Sequence, residues 1–167
     1  MEDPGTQRSR RWALIGLLVT VLAGIVIPVA LRWWCPPFAT TCEVAVSAQI
    51  VSPVFEVDHV QEVTGISAGL PEEDALWVVL YVAAVDRYYP ADLPATLAAE
   101  GSWSSRLIIG QEDERDLAAA ILVVSANPLA QSEFRAYIER SQGDGFIGLA
   151  GLPAGTRVLD RIDVRRH

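Results

Sequence analysis

Apolar and polar residues follow three different rhythms along this chain. The first is an unbroken run. Residues 12–31 (WALIGLLVTVLAGIVIPVAL) carry no charge. At a rise of about 1.5 Å per residue, such a run reaches roughly 30 Å, the thickness of a bilayer's hydrocarbon core. It predicts one transmembrane helix over residues 12–34. Trp12 lies at one end, with Trp33 and Trp34 at the other, where amphipathic indoles act as interfacial anchors. Pro28 falls in the last turn, where a kink is tolerated. A cleaved signal peptide would have a shorter apolar region and a small-residue cleavage site. Here Leu31-Arg32-Trp33-Trp34 follow, which also suits lipoprotein processing at Cys35 poorly. Arg8, Arg10 and Arg11 precede the run and only Arg32 follows it. Positive flanks stay inside, so residues 1–11 are expected to be a cytoplasmic tail and residues 35 onward to lie outside the cell membrane.

The second rhythm has a period of two, the mark of strands. It predicts strands over residues 44–51, ended at Pro53, and over residues 60–67. Residues 75–83 (ALWVVLYVA) are β-branched, aromatic and apolar on both faces, as a central strand requires. Residues 87–90 (RYYP) form a short strand whose proline marks a sheet edge or a strand end. Residues 95–99, 103–109, 117–125 and 156–164 complete the set, leaving residues 165–167 as a basic tail. The third rhythm is helical. Residues 128–142 begin at a capping Asn127 with Pro128 in the first turn. Leu129, Phe134, Tyr137 and Ile138 form the predicted apolar stripe. Short strands with regular turn signals and one inserted helix predict a mainly β sandwich over residues 44–167, joined to the membrane by residues 35–43.

The segment LWVVLYVAAVDRYYP (residues 76–90), followed by GSWSSRLIIG (residues 101–110), resembles an uncharacterised actinobacterial membrane-anchored domain with an immunoglobulin-like β-sandwich. The shared pattern is an apolar strand with Trp, a Tyr-Tyr-Pro, a Gly-x-Trp and an Ile-Gly strand end. A strand and an amphipathic helix then follow. The resemblance covers residues 44–165. It implies an immunoglobulin-like fold next to a membrane segment or an effector module, and it transfers no catalytic residue.

Charge narrows the partners. The net charge is −8, and all 13 cations are arginine, which reads as coding bias. Beyond residue 32, nine arginines face 19 carboxylates. Nucleic acid is therefore not an expected partner, because phosphate binding needs clustered cations. The bilayer, through residues 12–34, and a protein or glycan ligand are. The only cysteines, Cys35 and Cys42, sit just outside the predicted membrane. A disulfide closing the CPPFATTC loop is expected in an oxidising compartment; free thiols and inter-chain bonds are the other arrangements the spacing allows.

Catalytic signatures are missing. No Gly-x-Ser-x-Gly, His-Glu-x-x-His, phosphate loop or dinucleotide fingerprint occurs. His59 has Asp58 beside it, but neighbours on a strand point to opposite faces. The acidic turns at residues 72–74 and 112–116 lack the glycine-punctuated spacing of a calcium loop. No catalytic residue, metal or cofactor is expected. Trp77 and Trp103 read as core. Tyr88 and Tyr89 end a strand with diverging side chains, so one of them should be exposed and available to a ligand. The function expected is a non-catalytic interaction or sensing module. A cell-envelope enzyme using loop carboxylates and an accessory subunit of a membrane complex are the alternatives.

Overall fold

The computed structural model describes residues 45–144 and 146–167. The apolar run, its anchors Trp12, Trp33 and Trp34, and the pair Cys35 and Cys42 lie outside the described residues. Among the described residues, no helix is long and apolar enough to cross a membrane.

Among the described residues, two sheets and one α-helix make the fold. The strands are β1 (Ser47–Ser52), β2 (Glu56–Val57), β3 (Val60–Ala68), β4 (Ala75–Val82), β5 (Arg87–Pro90), β6 (Thr96–Leu97), β7 (Ser102–Ile108), β8 (Ala118–Ala126) and β9 (Thr156–Arg166). Helix α1 (Pro128–Asp144) is inserted between β8 and β9. Sheet A has the order β1-β3-β7-β6 and sheet B the order β2-β9-β8-β4-β5. Every pairing is antiparallel except β2 with β9. The apolar strand β4 is internal, as its composition requires, but β8 holds the middle of sheet B. Proline does end β5, which forms one edge.

Alternation sorts the side chains of sheet B into two faces. Leu76, Val78 and Leu80 of β4 stand beside Ser125, Val123 and Ile121 of β8. This inner face packs on Val63, Trp103 and Leu107 of sheet A, all buried. Across that core the Asp160 carboxylate accepts the Ile50 amide at 2.8 Å, tying β9 to β1. Gly65 makes room here. A Cβ on it would collide with the Gln49 carbonyl and the Trp103 indole, so a strand interior holds a residue that weakens strands elsewhere.

The outer face of sheet B carries Trp77 and Val79 next to Val124 and Leu122. Helix α1 covers them. The Trp77 and Phe134 rings lie 5.1 Å apart, and the Trp77 indole N–H donates to the Ala91 carbonyl at 2.9 Å. Asn127 caps the helix, its side-chain oxygen accepting the Ala130 amide at 3.0 Å. The buried stripe is Ala130, Phe134, Tyr137 and Ile138, with Gln131 donating to the carbonyls of Glu73 and Ala126 at 2.8 and 3.0 Å. Leu129 is not part of it and is 59% exposed. Five residues before Phe134, it is rotated by about 140° from that side chain. The basic tail is also revised. Strand β9 runs on to Arg166, which is buried because alternation turns it inward with Val164. The sequence pattern gave no sign of β2, whose two residues are too few for a period to show.

Candidate functional site

The helix covers only part of the outer face of sheet B. Toward the β4–β5 turn the face is open, and the same alternation that buries Trp77 and Val79 brings Tyr81 to it. Tyr81 stands directly opposite Tyr88 of β5. Their rings are 4.7 Å apart at an interplanar angle of 35°, within the range of favourable aromatic pairs. Asp86, in the turn at φ +51°, accepts the Tyr81 hydroxyl at 3.1 Å. From β9, the Arg161 guanidinium lies 5.8 Å from the centre of the Tyr81 ring, a cation–π distance. Asp163, two residues on along the same face, holds that guanidinium at 3.0 Å. Ala118 and Ala120 lie between these side chains and leave a shallow depression of about 410 Å³, flanked by the 57% exposed Phe55.

Electrostatics keep the platform's phenol intact. The hydrogen bond to Asp86 raises the Tyr81 pKa, followed by partial desolvation and the charge of the same carboxylate. The phenol is therefore neutral at physiological pH and remains a donor. The surface thus offers two aromatic faces, one cation shared with Asp163 and one hydroxyl already turned toward Asp86. It can stack and pair with a ligand.

Tyr88 and Tyr89 diverge, as neighbours on a strand must. Tyr88 joins the platform. Tyr89 faces the other way, against Gly148, where a Cβ would meet its ring carbon Cζ at 2.8 Å. Burial pushes its phenol pKa up. Both tyrosines are half-buried, where one was expected to be exposed. The cause lies beyond the strand. Tyr88 exchanges backbone hydrogen bonds with Leu149, at 3.0 and 2.8 Å, and the segment after α1 thereby shields the β5 edge. Trp77 and Trp103 are core residues, at 0% and 2% exposure.

Arg161, Asp163 and Asp86 were not legible as site residues. Their only signal was the i, i+2 spacing of Arg161 and Asp163 on an alternating strand, which places them on one face without saying what stands across from it. The other polar candidates are structural. The His59 ring is half-buried with Nδ1 3.2 Å from the Ile109 carbonyl. Asp58 makes no bond to it; the Asp58 amide instead donates to Gln61. Asp74 accepts the Ser125 hydroxyl at 2.5 Å, and Glu114 accepts the Gln111 amide at 3.1 Å. Asp116 lies 3.7 Å from Arg165. These acidic residues fix turns, and among the described residues no group of three or more potential ligands could hold a metal ion. No protein-family model and no curated protein matches the sequence.

Proposed function

We propose that the chain is a single-pass membrane protein whose outer module is a non-catalytic interaction or sensing domain, and that it docks a protein partner on the open part of sheet B. One observation carries this reading: Tyr81, Tyr88 and Arg161 are grouped on a sheet face that the inserted helix leaves uncovered. Tyrosine and arginine are the side chains that most often anchor protein interfaces. The depression is open and shallow, which suits a protein surface better than a small molecule, whose sites are concave and enclosing.

The module is read as immunoglobulin-like. Support comes from strand order: β1-β3-β7-β6 against β9-β8-β4-β5 follows the ABED and GFC-C′ arrangement of such domains. Strand β2 plays the part of a first-strand segment switched to the opposite sheet, and α1 stands in the loop between the last two strands. The departures are specific. Trp77 sits on the third strand of that scheme but faces α1, and both cysteines precede the sandwich, so no disulfide links its sheets. Membrane anchorage through residues 12–34 rests on the apolar run and its arginine flank. Kinship with the actinobacterial domain rests on residues 76–90 and 101–110.

The test is a photo-activatable cross-linker at position 55 or 163 of the full chain, in the cells that naturally make it. A discrete protein adduct is expected, and Tyr88→Ala or Arg161→Ala should abolish it. An adduct that survives both substitutions, or none from either position, contradicts the reading.

A further inference from the structure

A second surface lies on the other side of β5, and its backbone indicates what it accepts. Strand β6 pairs with β7 only at Thr96–Ser104 and Leu97–Trp103. From Ser105 to Ile108, β7 has β3 on one side and, among the described residues, no strand on the other. The hydrogen-bond phase is fixed: the Ile109 amide donates to the His59 carbonyl, so odd-numbered residues of β7 bond to β3. The amides and carbonyls of Arg106 and Ile108 therefore point to the open side. Strand β6 does not extend backward to meet them. Its partner for Arg106 would be Pro94, which has no N–H, and the chain there has already turned to sheet B, where the Ala95 amide donates to the Leu76 carbonyl.

The open edge lies along a groove of about 1100 Å³. Its walls carry exposed apolar side chains, among them Leu93 at 73%, Phe146 at 62%, Val85 at 54% and Ile108 at 48%. Its charged side chains are Glu62, Asp92 and Glu114 against Arg106, a negative balance. Natural edge strands are usually short, charged or covered, because a free edge templates pairing. Here the edge is left open between apolar walls.

We propose that this groove binds an extended peptide segment that adds as a strand to β7, carrying apolar residues for the walls and lysine or arginine for the acidic rim. Strand addition supplies main-chain hydrogen bonds for affinity, while alternate side-chain pockets supply selectivity. The stretch from Ser105 to Ile108 accommodates about four residues, roughly 13 Å of extended chain. A second copy of this chain is a poor occupant, since nine arginines against 18 carboxylates in residues 45–167 make two copies repel. The site is independent of the tyrosine platform and does not rest on it.

The full chain in detergent micelles, titrated with a seven-residue peptide alternating Val and Lys, tests this by amide NMR. The expected result is shifted signals and slowed hydrogen exchange at Arg106 and Ile108. A Val–Glu peptide should bind at least ten-fold more weakly, as should the Val–Lys peptide methylated on alternate backbone nitrogens. Leu93→Glu changes only an exposed side chain and should alter affinity without disturbing the fold, whereas Ile108→Pro removes an outward amide. Unchanged Arg106 and Ile108 signals, equal binding of the Val–Glu peptide, or concentration-dependent shifts at these amides without peptide would overturn the proposal. The last would make the edge a contact between copies.

Discussion

Tyr81 shows how a single side chain can belong to core and surface at once. Its ring continues the face that Trp77 and Val79 bury, and its hydroxyl is bound by Asp86 at the turn. That bond holds the phenol protonated above its ordinary pKa of about 10. The sign follows by linkage: a raised folded-state pKa gives stability that is complete below the unfolded value and is lost as pH rises through the folded one. Tyr89, raised by burial, acts in the same direction. The stabilisation is thus constant through neutral pH and fades only in alkali. Asp86→Asn should lower the ionisation pH of one tyrosine toward the ordinary value in an ultraviolet-difference titration. An unchanged curve would show that Asp86 does not hold the phenol. At this scale the sequence was half legible. Adjacent tyrosines on a strand diverge by geometry alone, and Tyr88 and Tyr89 do. That Tyr88 meets Tyr81 depends on β4–β5 register, and that Arg161 arrives over the ring depends on β9, 80 residues along the chain from Tyr81. No local pattern carries such a contact.

Elements were easier to read than their partners. Strands of seven or more residues and the capped helix follow from periodicity because burial on one face enforces it. Of the two-residue elements, β6 lies inside the expected strand over residues 95–99 and is cut to the part that β7 pairs, whereas β2 exists only because β9 presents an edge to it. The error at Leu129 has the same origin, since a stripe of helical spacing does not say where the helix rests, and Ala130 and Gln131 rest there instead. The last strand shows the strongest tertiary override. Arg166 is buried, and its guanidinium donates to the carbonyls of Ile109, Gln111 and Glu112, closing the β7–β8 loop onto β9. Buried charge of this kind persists only with such partners. Arg166→Met should cost at least one charge-assisted hydrogen bond, about 1.5–3 kcal/mol, in denaturant unfolding. It should also speed amide exchange over residues 109–116, while exchange in α1 follows the global loss alone. A stability change below about 0.5 kcal/mol would mean that the carbonyls find other donors.

At the scale of the whole molecule, we propose that the apolar run and its arginine flank direct the sandwich outward and that its net negative charge keeps it away from anionic headgroups. The inserted helix then divides sheet B into a covered half and an open one. The central claim is that the open half, outside the cell, meets a partner. Footprinting with a membrane-impermeant radical source, on intact producing cells and on the detergent-purified chain, tests it most directly. Leu129, on the exposed face of α1, should label equally in both. Tyr81, Tyr88 and Phe55 should label in the purified chain and be protected on cells. Labelling of Tyr81, Tyr88 and Phe55 on cells as strong as in the purified chain, or no labelling of Leu129 on cells, would contradict the account.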